Sequence, residues 1–328
     1  MSTLVTCGTG FVSRAFIRVF RDSGERIQIL IRDKSKVSWF PDEKVYVGNL
    51  FDPLCLARAV EGVDTVIHVP PLAQPEGNGR RQLDVHRWAH VESTRLLLEK
   101  AVIEGVKKFL YVSSAHVMGQ STDKPLCELT AGTPGTPYAQ AKMEAEDLIL
   151  FFAERYGIEP VILRPPSIYG FGDKSIVSAL SQAALRNLWL PFKGVDALHS
   201  LVFVETLARA GVALLRDVEN ESKNRIFIVK DLLDYRPERL YRAVCKALEK
   251  EPRLFWAPSP LMTILKTVGG KFRNVPKLGW MNLIRQLLIP QRYCGHLFEE
   301  TLPTFAYVGL DEAVRRSLNH YQGTRVFG

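Results

Sequence analysis

Thr3-Leu4-Val5-Thr6-Cys7-Gly8-Thr9-Gly10-Phe11-Val12-Ser13 runs from an apolar stretch through a turn of small residues into an amphipathic stretch that continues to Arg21. The apolar run reads as a buried strand, and the apolar positions recurring every three or four residues after it read as a helix. Small residues between a strand and a helix let backbone amides approach a pyrophosphate, and the helix N-terminus adds its positive end. Gly-Thr-Gly occurs in many loops. Its place after the first strand is what carries the reading.

Working outward, the same alternation repeats. Strand-like runs occur at Thr3–Cys7, Arg26–Ile31, Lys44–Val47, Thr65–Val69, Lys108–Ser113 and Pro160–Leu163. Helical periodicity fills Phe11–Arg21, Pro53–Val60, Leu83–Glu104 and Ala139–Tyr156 between them. Nearly all-apolar strands alternating with helices predict an α/β fold, a Rossmann-type doubly wound parallel sheet covered on both faces. Beyond Pro165-Pro166 helical stretches dominate: Ile176–Arg186, Glu205–Arg216, Pro237–Leu248, Leu261–Val268, Trp280–Leu288 and Asp311–Asn319. Short strands are expected at His199–Val204 and Arg225–Val229. Residues 1–166 are therefore read as a dinucleotide-binding domain. Residues 167–328 are read as a smaller, mostly helical C-terminal substrate lobe, with part of 199–230 returning to the first domain.

Composition excludes several classes. Of 328 residues, 46% are hydrophobic and 24% charged, too apolar for disorder. Five cysteines, Cys7, Cys55, Cys127, Cys245 and Cys294, are odd in number, scattered and without CxxC spacing. That pattern predicts neither a disulfide framework nor a zinc site, no metal ligands, and a reducing, cytoplasmic setting. No apolar run is long enough to span a bilayer and no basic leader precedes the first strand. The net charge of +8 is uneven. Residues 239–328 carry 14 Lys/Arg against six Asp/Glu, and the rest of the chain balances. Such a field suits an anionic small-molecule substrate. The same bases interleave with Phe255, Trp256, Leu261, Ile264 and Leu265, so an interfacial surface and peripheral membrane contact stay open. No nucleic-acid motif accompanies the charge.

The chemistry-bearing pattern is Tyr138-Ala-Gln-Ala-Lys142, preceded by Ser113-Ser114 at a strand end. Four residues apart on a helix, Tyr138 and Lys142 share a face. A lysine cation and a positively charged nicotinamide lower a phenol's pKa, and a serine hydroxyl orients the same substrate oxygen. The set suits proton exchange with an alcohol or ketone during hydride transfer. The second strand ends Ile31-Arg32-Asp33. A carboxylate at this strand end would bind the ribose diol of NAD, and an arginine pairs with a 2′-phosphate, so Arg32 tilts NAD or NADP toward NADP.

In that order and spacing the chain resembles the extended short-chain dehydrogenase/reductase (NAD-dependent epimerase/dehydratase) family over about residues 3–250, with a fainter echo at Tyr307–Tyr321. The resemblance rests on Gly48–Pro53, Gly62–Val69, Phe109–Ser114, the Tyr138/Lys142 pair, Leu163–Gly170 and Ser200–Glu205. It implies Ser114, Tyr138 and Lys142 as the catalytic set. It implies pyrophosphate contacts from Thr9, Gly10, Phe11 and Val12, and places Asn49 and Leu50 beside the adenine. Val69 and Pro70 would pass beneath the cofactor and Pro165 would lie near the nicotinamide. Ser114, His116 and Ser167 would face substrate. Helices Leu83–Glu104 and Ala139–Tyr156 would form a homodimer interface.

The chain departs from the family pattern at Cys7 and Ser13, where glycines are usual, and at Pro70-Pro71, where alanines are. His90 stands for a frequent Asn, Met118 for a Tyr and Ser167 for an Asn. Ala115-His116 replaces the acidic pair that dehydratases use. Three readings follow: a nucleotide-sugar epimerase first, with Trp189–Lys193 and His199–Phe203 similar to hexosamine 4-epimerase relatives; then a 3β-hydroxysteroid or dihydroflavonol-type oxidoreductase; then a degenerate, non-catalytic dinucleotide-binding protein.

Overall fold

The computed structural model describes residues 2–71, 80–119, 124–172, 176–217, 226–258 and 286–322. Seven parallel strands form the main sheet: β1 (Thr3–Val5), β2 (Ile27–Ile31), β3 (Lys44–Val47), β4 (Thr65–His68), β5 (Lys108–Val112), β6 (Glu159–Leu163) and β9 (Ile226–Phe227). Their order is β3-β2-β1-β4-β5-β6-β9. The chain winds outward one way from β1 to β3 and the other way from β4, which opens a crevice at the carboxyl ends of β1 and β4. A separate two-stranded parallel ribbon joins β7 (Ser167–Tyr169) to β8 (Leu201–Phe203).

Side chains alternate across the sheet, as a strand's period of two requires. Val5, Ile29, Leu110, Val112 and Leu163 enter one apolar core with Phe16 and Phe20 of α1 (Phe11–Asp22) and Leu207 of α7 (Val204–Arg216). Leu4, Leu30, Phe109, Tyr111 and Ile162 enter the other, with Leu56 of α2 (Pro53–Val60), Leu97 of α4 (Ser93–Ile103) and Ile149 of α5 (Pro137–Tyr156). Helix α7 approaches the sheet closely. A β-carbon at Gly211 would stand 2.8 Å from Phe16 and 2.9 Å from Leu110.

The C-terminal part adds α6 (Ile176–Leu185), α8 (Pro237–Ala247), α9 (His296–Thr301) and α10 (Leu310–Gln322). The expected helix at Leu261–Val268 and residues 280–285 of the one expected at Trp280–Leu288 lie outside the described residues.

Two expectations are corrected. The single helix read over Leu83–Glu104 is three pieces: α3 (Arg80–Arg87), a π turn at Trp88–Glu92, and α4. The wider turn leaves the apolar pattern intact, so periodicity does not reveal it. Cys127 and Cys294 form a disulfide across 167 residues of sequence. The fold brings the two segments together: Leu126 N–H donates to Arg292 O (3.1 Å), and Cys294 N–H to Leu126 O (3.0 Å). The spacing argument for a reducing compartment falls with this pairing.

Candidate active site

The Cys7–Gly10 turn carries the chain from β1 into α1. A β-carbon at Gly8 would lie 2.2 Å from Ile29 Cγ2, so only glycine fits there. Cys7 stands where the family places glycine and takes φ 51°, left-handed backbone that costs a side-chain-bearing residue roughly 1–2 kcal/mol. Ser13 keeps the tight helix–strand approach, its Oγ donating to Thr6 O (3.0 Å). The first intrahelical bond runs from Arg14 N–H to Gly10 O (3.0 Å). The amides of Phe11 and Val12 therefore point out of the helix end, the position an anion takes.

A groove of about 530 Å³ opens beside this turn, lined by Cys7, Thr9, Gly10, Arg32, Asn49 and Leu50 together with Phe51 and Trp88. Phe51 and Trp88 stack at 4.3 Å with 7° between planes, closing the groove's far wall. Asp33 is committed elsewhere: its carboxylate accepts from Ser35 N–H (2.9 Å) and Ser35 Oγ (2.7 Å). The exposed Arg32 is the charged side chain left at the rim. These residues fit a dinucleotide. Of the other expected cofactor contacts, Val69 N–H donates to Thr6 Oγ1 (3.2 Å), Pro70 is buried after β4, and Pro165 O accepts from Ala115 N–H (2.8 Å).

Ser114, Tyr138 and Lys142 come from β5 and α5. Helix α5 starts on a Thr136 cap, whose Oγ1 accepts from Ala139 N–H (3.1 Å), with Pro137 at its first position. That fixed start places Tyr138 in the first turn and Lys142 one turn on. Lys142 is buried; its Nζ donates to Val112 O (2.7 Å) and lies 4.7 Å from the Tyr111 ring centroid and 6.0 Å from that of Tyr138. One turn further, buried Glu146 accepts from Ser113 Oγ and from Arg164 Nη2 (2.6 Å). Strand β5, helix α5 and the end of β6 are thus locked together beneath the site. Ser114 caps a short 3-10 turn over Ala115–Met118, and its Oγ lies 3.0 Å from His116 Nδ1. Ser167 opens β7.

The charge states differ from the expectation of a lowered phenol. Burial pushes Tyr138 up to about 12, opposed by a hydrogen bond with Ser114. Burial pushes Lys142 down to about 7, against the pull of Glu146. In the protein alone Tyr138 is an acid holding its proton, and Lys142 is a weak cation.

Sequence reasoning singled out His90 in place of a frequent Asn, but not His86 or the contact of both rings with Tyr138. His86 and His90, four residues apart, stack at 5.7 Å and meet the Tyr138 ring edge-on at 5.6 and 5.3 Å. The His86-x-x-x-His90 spacing was the available signal. Burial drives His90 down to about 2 and His68 down to about 3, so both are neutral. His68 shares a hydrogen bond with Thr6 Oγ1 (2.8 Å). Among the described residues no cluster of three His, Cys, Asp or Glu side chains forms a metal site.

The chain is 26% identical to a ceramide reductase of Caulobacter vibrioides over 295 residues, 87% of this chain and 83% of that one. It is 25% identical to UDP-glucose 4-epimerase of Vibrio cholerae over 255 residues, 76% of each. It spans only about half, 51–53%, of other curated relatives that it matches, one of them uncharacterized and another a 3β-hydroxysteroid dehydrogenase/isomerase of Mycobacterium tuberculosis. The solved UDP-glucose 4-epimerase of Thermotoga maritima shares the fold, with a TM-score of 0.75 over 98% of this chain and 99% of that one at 20% identity. The model of the NAD dependent epimerase/dehydratase family matches residues 3–229, and the chain belongs to that family.

Proposed function

We propose that the protein is a net oxidoreductase that interconverts an apolar ketone and its alcohol with a nicotinamide dinucleotide. The observation that carries the reading is the Ser114–Tyr138–Lys142 set beyond the end of β5, with Ser114 and Lys142 buried, Tyr138 half-buried in the first turn of α5, and the phenol raised so that it keeps its proton. The bound nicotinamide supplies or accepts the hydride. Tyr138 donates its proton to the carbonyl oxygen in reduction and takes it back from the alcohol in oxidation. Ser114 holds that oxygen by its hydroxyl. Lys142, poised near neutrality, lies beside the phenol whose charge changes. Thr9, Gly10, Asn49 and Leu50, with the amides of Phe11 and Val12, hold the dinucleotide. Arg32 takes a 2′-phosphate, so NADP(H) is the expected partner.

Two observations move substrate preference away from a nucleotide sugar. Of the C-terminal bases whose field suits an anionic substrate, four of those described are paired within the protein: Arg239 and Lys246 with Asp311, Arg242 with Glu238, and Arg292 with Asp234. Lys266, Lys271, Arg273, Lys277 and Arg285 lie outside the described residues. Directly after Ser114 the chain enters a buried apolar cluster of Ala115, Val117, Met118, Ile228 and Tyr293, with Leu126 and Met143 packed against it. The Caulobacter relative, matched over most of both chains, is a reductase of a lipid.

The Vibrio relative supports the epimerase reading. Its sequence signature has become structural: His199 is buried with Nε2 2.9 Å from Leu287 O, and Ser200 donates to Asp234 (2.7 Å).

Calorimetry with the four nicotinamide dinucleotides, followed by assays on long-chain ketones and on UDP-sugars, separates the readings. Net NADPH oxidation with a ketone is expected. Sugar interconversion without net cofactor change assigns the epimerase, and no dinucleotide binding by any measure leaves a non-catalytic protein.

A further inference from the structure

Not all the bases of the C-terminal half are engaged. Arg186, Lys193, Lys250 and Arg253 are exposed, and among the described residues no carboxylate lies within 4.0 Å of them. They lie on or next to two adjoining chain segments that also carry exposed apolar side chains. Leu190 N–H donates to Arg253 O (2.9 Å), Phe255 N–H to Leu190 O (3.0 Å) and Lys193 N–H to Phe255 O (3.3 Å). This short parallel ladder turns Leu190 and Phe192 into the core and leaves Trp189 61% exposed. Trp256 continues the second segment, 66% exposed, with its indole against Gly194: a β-carbon there would stand 3.2 Å from Nε1. Leu185, at the end of α6, and Leu188 extend the apolar surface, 51% and 39% exposed.

Two tryptophans and two leucines left in water along these adjoining segments mark an interaction surface. Its charge selects the partner. The acids nearby are Glu249 and Glu251, both exposed, and Asp196 and Glu238, which are engaged by Arg236 and Arg242. Four free bases therefore face two free carboxylates. In sequence, residues 259–285, which follow Trp256 directly, carry five Lys/Arg and no Asp/Glu. Indoles settle at the headgroup level of a bilayer, and bases around them pair with anionic lipid. Among the described residues no helix is long and apolar enough to cross a membrane.

We propose that the face formed by Leu185, Leu188, Trp189 and Trp256, rimmed by Arg186, Lys193, Lys250 and Arg253, docks the protein peripherally on an anionic lipid surface. The assignment does not depend on the reaction: it holds for a reductase, an epimerase or a non-catalytic protein.

Co-sedimentation of the whole chain with vesicles tests it. Phosphatidylcholine vesicles containing about a third phosphatidylglycerol are expected to bind the protein, and pure phosphatidylcholine vesicles to leave it in solution. Brominated acyl chains should quench tryptophan fluorescence in the wild type and lose most of that quenching in the Trp189→Ala/Trp256→Ala double variant. Lys193→Ala and Arg253→Ala should each weaken binding roughly fivefold, as removal of one base near an anionic surface does. These positions are exposed, and an unchanged melting temperature checks that each variant is folded. Equal binding to both vesicle types overturns the proposal, as does a double variant that sediments like the wild type. Failure to sediment, with self-association in light scattering that the double variant abolishes, assigns the face to a second copy of the chain and also overturns it.

Discussion

Tyr138 sits under two opposed influences. Its removal from water raises the phenol to about 12, while the Ser114 hydroxyl favours the phenolate. Between pH 6 and 9 the residue is then protonated, ready to donate. Reduction of a ketone should be nearly flat across that range in steady-state assays. Oxidation of the alcohol needs the phenolate and should rise with pH, approaching tenfold per unit. A falling oxidation rate with pH would remove Tyr138 as the base. Tyr138→Phe should lower turnover by at least a hundredfold, the usual scale for a general acid, while calorimetry finds cofactor affinity within a few-fold of wild type.

His90 belongs to the same scale but acts on stability. Burial depresses its folded pKa to about 2 from the ordinary 6.5 of a histidine, with Lys142, His86 and His68 adding repulsion. The unfolded chain therefore binds a proton that the folded chain refuses, so stability falls as pH drops below about 6.5. Denaturant titrations should show a shallower acid loss for His90→Leu than for wild type. An unchanged acid slope would mean that the ring is already charged when folded. The sequence revealed Tyr138 and Lys142 because chemistry fixes their spacing and order. It did not reveal the histidines' role, because burial and ring contacts depend on how α3, the π turn and α5 pack.

At the level of elements, most strands were legible and their boundaries moved little, because an all-apolar run flanked by polar residues has few other solutions. The start of α5 was read at Ala139, and the structure begins it at Pro137 because Thr136 supplies the cap. Strand β7 went unread: Ser167–Tyr169 is short and follows two prolines, and it gains strand geometry only by pairing with β8. The disulfide went unread for a related reason. Cys127 and Cys294 have no local signature, and their meeting follows from the Leu126–Tyr293 bridge. Closing a loop of 167 residues restricts the unfolded chain strongly. Cys294→Ser should cost roughly 2–5 kcal/mol in denaturant unfolding, and reductant should bring the wild type down to the variant. Equal stability of wild type and variant without reductant would show that the bond does not form.

At the scale of the whole molecule, the charge asymmetry divides into two populations. Some bases of the C-terminal part, Arg239 and Lys246, tie α8 to Asp311 of α10, and others lie near exposed tryptophans. Exposed apolar side chains also lie on α4 and α5, the helices beside the catalytic set. Ile103 closes α4 70% exposed, and Phe151 and Tyr156 leave α5 58% and 51% exposed. The family resemblance implies a dimer through these helices, and a two-fold axis would make each of these side chains count twice. Covering one Phe is worth about 2 kcal/mol, so both copies contribute about 4 kcal/mol, near a thousandfold in the dimer dissociation constant. Light scattering should therefore give twice the chain mass for the wild type and the single chain mass for Phe151→Asp at micromolar concentration. Trp189→Ala/Trp256→Ala should leave that mass unchanged, because its face is a different one. A wild-type monomer would show instead that the apolar surface of α4 and α5 is not a subunit contact.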